Sequence, residues 1–144
     1  MRNILVLCVG NICRSPVGER LLRQHLTSEF NVSSAGIGAL SGHSADDEMA
    51  AVARSNGLSL SAHLARQFEA ELGKEADLIL VMETGHKQDI TRRHPELSGK
   101  ILLYDHWTGG ETIPDPYKKS RVHHEVAYEM LKRAAVAWSQ KLMS

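Results

Sequence analysis

Cysteine is scarce in this 144-residue chain: only Cys8 and Cys13 occur, close together near the start. Such a pair cannot form the disulfide framework of a small secreted domain, and the usage suits a reducing, cytoplasmic setting. Net charge is missing as well, since 17 Lys and Arg balance 17 Asp and Glu. A nucleic-acid partner usually leaves a basic excess, so no nucleic acid is expected. Long apolar runs are absent too. The longest, Ile4 to Val9, is far short of the ~20 residues of a membrane-spanning helix and of the ~7–15-residue core of a secretion signal. No membrane insertion is expected. There is no repeat, low-complexity tract or linker. The rest is ordinary globular composition, 42% apolar and 24% charged, which argues against disorder. A chain of this length buries roughly 70% of its unfolded surface. One domain over residues 1–144 is therefore expected, monomeric and needing no metal or disulfide to fold.

Strand-like and helix-like segments alternate. Ile4–Val9 is a dense run of β-branched residues and leucine, as in a strand covered on both faces. The spacing of Val17, Leu21, Leu22 and Leu26 predicts a helix over Pro16–Leu26, with Pro16 in its first turn. A short strand over Asn31–Ala35 and a helix over Ala45–Ser55 follow, the latter stopped by Asn56-Gly57. His63–Leu72 reads as a weaker helix, Asp77–Met82 as a third strand, Thr84–His94 as a helix and Lys100–Tyr104 as a fourth strand. A long amphipathic helix over Arg121–Leu142 places Val122, Val126, Met130, Leu131, Ala134 and Trp138 on one stripe. This alternation predicts a parallel sheet with helices on both faces. Ligands of such sheets bind beyond the C-terminal strand ends, here the loops after Val9, Ala35, Met82 and Tyr104.

The first of these loops reads Cys8-Val9-Gly10-Asn11-Ile12-Cys13-Arg14-Ser15, with the helix opening at Pro16. Free N–H groups and the positive dipole end converge at a helix N-terminus. Consecutive loop amides can form an anion-binding nest, and Gly10 and Asn11 tolerate the left-handed backbone it requires. Arg14 adds a planar fork suited to a tetrahedral oxyanion. Cys8 lies at the base of this positive cradle, which favours its thiolate, and Ser15 can donate a further hydrogen bond to it. A soft nucleophile under a phosphate-shaped cradle points to attack on phosphorus. Cys8 also continues an apolar strand, where a buried structural thiol is common.

Cleavage of a phosphate ester by a thiolate needs an acid for the leaving oxygen. Asp115, in Ile113-Pro114-Asp115-Pro116-Tyr117, lies beyond the fourth strand and so at the same sheet edge as Cys8. Its flanking prolines stiffen the backbone. The plainer reading is an ordinary turn residue.

The combination of Val6 to Pro16, Ser33-Ser34-Ala35-Gly36 and Asp115-Pro116-Tyr117 resembles the low-molecular-weight protein tyrosine phosphatases over nearly the whole chain. Val32 to Leu40 and Tyr104 to Lys119 are most similar to the proteobacterial branch associated with capsule and exopolysaccharide export. The resemblance implies an α/β three-layer sandwich with a four-stranded parallel sheet in order 2-1-3-4. It implies hydrolysis of phosphotyrosine through a phosphocysteine on Cys8, with no cofactor and no metal. Arg14 and the amides from Val9 through Gly10, Asn11, Ile12 and Cys13 would hold the phosphate. Asn11 would brace the loop, and Ser15 would stabilise the thiolate. Asp115 would act as acid and then as base, and Leu40 and Tyr117 would wall the pocket. The implied partner is a phosphotyrosine protein, the tyrosine-rich tail of a membrane polysaccharide-export kinase.

Cys13 is close enough to Cys8 for a reversible disulfide protecting against peroxide, or is a small core residue under the loop. The eight histidines do not suggest a metal site: His123 and His124 diverge by about 100° on a helix, and His86 and His94 lack a ligand cluster around them. Lys118, Lys119 and Arg121 form a solvated edge that could favour acidic substrate tails. Trp107 and Trp138 read as packing residues, and Asp46, Asp47 and Glu48 as first-turn acids. Arsenate reduction would need resolving cysteines after Cys13, and none exists. A phosphoryl carrier or an idle phosphate-binding module remain as alternatives, separable by turnover of an aryl phosphate.

Overall fold

The computed structural model describes residues 2–110 and 112–144. Four parallel strands, β1 (Arg2–Cys8), β2 (Phe30–Gly36), β3 (Leu78–Val81) and β4 (Ile101–Leu103), form one sheet in the order β2-β1-β3-β4. This is the order the family resemblance implies. Leu7 pairs with Ala35 on one side and Val81 on the other, so β1 is central and its C-terminal end opens where the order reverses. Such a switch point leaves a crevice between diverging connections.

Alternation along β1 divides two apolar layers. Ile4, Val6 and Cys8 face a core shared with α1 (Arg14–His25), α2 (Asp47–Ser55) and α5 (Arg121–Leu142). Leu5 and Leu7 face a second core, with Ile79, Val81, Ile90 of α4 (Thr84–Arg93) and Leu97 of a 3-10 turn. α3 (Ala70–Glu75) joins this side, where Leu72 packs. Parity therefore sends Cys8 toward α1 and α5. On that side Tyr104 is fully buried and donates its hydroxyl to Gly18 O at 2.9 Å.

Three expectations are corrected. No helix spans His63–Leu72; only Ala70–Glu75 is helical. The strand end captures the preceding backbone: Gly36 N donates to Arg66 O (2.9 Å) and Phe68 N to Gly36 O (2.7 Å). Extended backbone is needed for that pairing, and the weak helical pattern loses to it. On α5 the stripe is rotated at its start, with Val122 and Val126 exposed and His124, Ala127, Tyr128, Leu131, Ala134 and Trp138 buried. His124 is drawn inward by polar partners on Ser120 and Asp46, which turns the first two valines outward. Trp107 is the third: it is 45% exposed, edge-on to Trp138, while Trp138 is buried and donates to Tyr104 O. Boundary shifts are small, α1 opening at Arg14 and α2 at Asp47, where Asp46 accepts from Met49 N and caps the helix.

Candidate active site

Between β1 and α1 the chain turns over Val9–Cys13 in a narrow loop, and the carbonyls from Cys8 to Ile12 all point outward to donors. Cys8 O accepts from Ile37 N (2.9 Å), Val9 O from Gly38 N (3.0 Å), Gly10 O from Leu40 N (3.1 Å) and Ile12 O from Asp46 N (2.8 Å). Asn11 O takes His63 Nε2 at 2.6 Å. A carbonyl can only accept, so Nε2 carries the ring proton there. In a trans peptide each carbonyl and the following N–H point in opposite directions. Five anchored carbonyls therefore turn the N–H groups of Val9 to Cys13 toward the concave side, the arrangement of an anion nest. Gly36 permits the close approach, because a Cβ there would lie 2.5 Å from Val9 O.

Asn11 sits beneath the loop, fully buried, at φ 58°. Asparagine tolerates this left-handed backbone better than most residues. Its Nδ2 donates to Ser15 Oγ (2.7 Å) and Ser34 Oγ (3.1 Å), and its Oδ1 accepts from Arg66 N (2.9 Å). Ser34 Oγ donates its own hydrogen bond to Glu19 Oε1 at 2.8 Å. Ser15 Oγ accepts from Asn11 and lies 2.9 Å from Cys8 Sγ, so its hydroxyl proton is available to that sulfur. The Ser15 N–H also donates to that sulfur, at 3.4 Å. The Ser15 hydroxyl and N–H thus meet one sulfur at a helix N-terminus, where the positive dipole end lies.

Arg14 is only 1% exposed and is gripped from behind: NH1 donates to Glu83 Oε2 (2.8 Å) and Ile113 O (2.7 Å). Its NH2 lies 3.8 Å from Asp115 Oδ2. Ile113 N in turn donates to Met82 O at 3.0 Å, tying the loop before Asp115 to the end of β3. Asp115 is half-exposed and accepts the Tyr117 N–H at 3.1 Å. Cys8, Val9, Gly10, Ile12, Cys13, Arg14, Leu40, Asp115 and Tyr117, with Gly38, line one cavity of about 210 Å³. Asn11 and Ser15 lie below it. A groove of about 570 Å³ between α2 and Leu58–His63 is larger, but neither cysteine reaches it.

Cys13 is buried, and its thiol is held protonated: burial raises its pKa most, followed by Asp46, Cys8 and Asp115, against Arg14. The His86 imidazole is pushed down from 6.5, first by burial and then by Arg14, with Glu83 opposing. His86 Nε2 is 3.5 Å from Glu83 Oε2, and its Nδ1 is buried without a partner among the described residues.

Sequence reasoning missed Glu83, His63, Ser34 and Glu19. Glu83 was within reach, being the first residue past Met82 in a loop that the sheet rule marks for inspection. Ser34 lies in the Ser33-Ser34-Ala35-Gly36 stretch that carries the family resemblance, while His63 and Glu19 act from beneath and leave no local pattern.

A parallel 2-1-3-4 sheet with a thiol and a gripped arginine in an amide-lined loop defines an α/β phosphatase architecture. Residues 3–144 match the family described as low molecular weight phosphotyrosine protein phosphatase. The chain belongs to that family and is a low-molecular-weight protein-tyrosine phosphatase. It is 50% identical over 139 residues to the low molecular weight protein-tyrosine-phosphatase Wzb of Salmonella typhimurium, covering 96% of this chain and 93% of the relative. The tyrosine phosphatase Wzb of Escherichia coli K30, solved in complex with sulphate, is 46% identical, covers 97% of both chains and superposes with a TM-score of 0.93. Vibrio vulnificus Wzb in complex with benzylphosphonate is 44% identical, with 97% and 98% coverage and a TM-score of 0.93. These similarities group the chain with the capsule- and exopolysaccharide-associated proteobacterial branch. Among the described residues no helix is long and apolar enough to cross a membrane.

Proposed function

We propose that this phosphatase works by two displacements through a phosphocysteine on Cys8. The observation that carries this reading is the convergence of Ser15 Oγ and Ser15 N on Cys8 Sγ, in the cavity that also holds Arg14 and Asp115. In the first step Sγ attacks phosphorus and the phosphorus–oxygen bond to the tyrosyl group breaks. Asp115 gives its proton to the departing phenolate. In the second step water attacks the phosphocysteine and passes a proton to Asp115. The sulfur–phosphorus bond breaks, and the thiolate leaves under the Ser15 donors. Arg14 and the amides of Val9 to Cys13 hold the three phosphoryl oxygens throughout, and charge stabilisation of this kind supplies most of the acceleration in phosphoryl transfer. No cofactor enters either step.

Leu40 and Tyr117, both partly exposed at the rim, flank the aromatic ring of the substrate, and the depth to Cys8 favours phosphotyrosine over the shorter phosphoserine. The substrate is a phosphotyrosine protein, the tyrosine-rich cytoplasmic tail of a membrane polysaccharide-export kinase, met by a monomeric, single-domain enzyme in the cytoplasm. Support comes from the Wzb relatives and from exposed Lys118 and Lys119 beside Tyr117. Cys8→Ser should abolish turnover of an aryl phosphate while vanadate or phosphate still binds. Retained turnover would place the nucleophile elsewhere.

A further inference from the structure

Beneath the cavity three side chains of metal-ligating type meet from three separate elements. Cys13 stands at the N-cap of α1, Asp46 at the N-cap of α2 and His124 in the first turn of α5. Their donor atoms, a thiol sulfur, a carboxylate oxygen and an imidazole nitrogen, lie within 4.8 Å of one another. Cys13 and His124 are 4% and 1% exposed, so this is not a chance surface cluster.

The hydrogen bonds of His124 indicate what belongs there. Its Nδ1 lies 2.9 Å from Ser120 O, a carbonyl that can only accept, so Nδ1 carries a proton. Its other ring nitrogen, Nε2, faces Asp46 Oδ2 at 3.2 Å, a contact that a proton or a metal ion can fill. Asp46 Oδ2 also receives the Met49 N–H at 3.0 Å. With Nδ1 committed to a carbonyl, Nε2 is the ring atom left for a cation, and it already faces a carboxylate. A backbone carbonyl on the far ring nitrogen is also the usual support of a metal-bound histidine, fixing its tautomer and raising its basicity. The third donor, Cys13, makes no capping hydrogen bond to α1.

We propose that Cys13, Asp46 and His124 form a binding site for one zinc ion beneath the phosphate loop. The mixed sulfur, nitrogen and oxygen donors suit zinc rather than magnesium or calcium. Zinc bonds of about 2.0–2.3 Å need donors separated by about 3.3–3.8 Å, so the His124–Asp46 pair, at 3.2 Å, is just short of that span and needs little adjustment. The sulfur, within 4.8 Å of both, closes in on binding. Zinc displaces the Cys13 thiol proton to solvent, and the resulting thiolate and the Asp46 carboxylate balance its two charges. Asp46 is 17% exposed at its side chain, which leaves an entry for the ion and room for water as a fourth ligand. Asp46 N also donates to Ile12 O, so a bound ion would clamp the phosphate loop to α2 and α5. The site does not depend on the roles proposed for Cys8 and Asp115. Spacing along one helix argued against a metal here; the fold instead supplies His124 with partners from positions 13 and 46.

The test titrates zinc chloride into the purified full-length Cys8→Ser protein by calorimetry, which removes the neighbouring thiol as a competing ligand. One equivalent should bind with a Kd of about 1 μM or tighter. Cobalt in its place should give a sulfur-to-cobalt charge-transfer band. Adding His124→Gln should weaken zinc binding by roughly 100-fold, and Cys13→Ser should abolish the band. Adding Asp46→Asn, which keeps the α2 cap, should weaken binding at least about 10-fold. Zinc should raise the melting temperature of Cys8→Ser and not that of Cys8→Ser/His124→Gln, with circular dichroism confirming that each folds. His124→Phe replaces His124→Gln if the latter does not fold. Loss of binding in Cys8→Ser alone, no binding at millimolar zinc, or equal binding after the His124 substitution would each overturn the site.

Discussion

Replacing Asn11 with alanine probes how the phosphate loop keeps its shape. Asn11 is fully buried at φ 58°, and its side chain serves Ser15, Ser34 and the Arg66 N–H. Holding alanine in the left-handed region costs about 1 kcal/mol, and three lost hydrogen bonds add about 1 kcal/mol each. The total, about 4 kcal/mol, corresponds to a fall in melting temperature of roughly 10–15 °C for a chain of this size. Turnover should fall by about 10-fold or more, because Ser15 loses the donor that turns its proton toward Cys8. Urea unfolding with tyrosine and tryptophan fluorescence measures the stability loss, and para-nitrophenyl phosphate hydrolysis measures the turnover. Asn11→Ala and Ser34→Ala should couple by about 1 kcal/mol in a double-mutant cycle, since one bond joins them. A destabilisation below about 1 kcal/mol, or strict additivity, would refute the bracing role.

Asp115→Asn should slow phenyl phosphate hydrolysis far more than para-nitrophenyl phosphate hydrolysis, because the poorer leaving group needs the proton more; equal losses would remove Asp115 as the acid. Peroxide should convert Cys8 to a sulfenic acid, from which the Cys13 thiol displaces water to form a disulfide. Dithiothreitol would then restore wild type but not Cys13→Ser, each scored against its own starting activity, and equal recovery would discard the redox role. His86 is held neutral by burial, so the unfolded chain binds more protons than the folded one between the lowered folded value and 6.5. Its contribution to stability therefore worsens as pH falls below 6.5, and His86→Gln should flatten that part of the urea-unfolding profile. An unchanged slope would contradict this.

The chemistry-bearing loop was legible because its parts are local. A strand, a loop of Gly and Asn, an arginine and a helix start lie within residues 4–16, and short-range sterics and helix-end electrostatics act over that distance. The apolar runs Ile4–Val9 and Leu78–Met82 likewise announce strands covered on both faces. The strand order came from family resemblance, since runs of this kind carry no information about their neighbours.

Reading failed where partners are far apart in the chain. His63–Leu72 carries a faint helical period, yet Gly36 recruits residues 66–68 into extended pairing, and no local signal encodes that competition. The inward turn of His124 depends on Asp46, 78 positions earlier. The grip of Glu83 on Arg14 spans 69 positions, and the relay from Glu19 through Ser34 to Asn11 joins α1, β2 and the loop. Residue type and short-range spacing are enough to mark a candidate nucleophile, a candidate oxyanion cradle and a candidate acid. Turning five loop carbonyls outward, and setting two Ser15 donors on one sulfur, takes packing between distant segments, because buried polar groups are satisfied only by what the fold brings within about 3 Å of them.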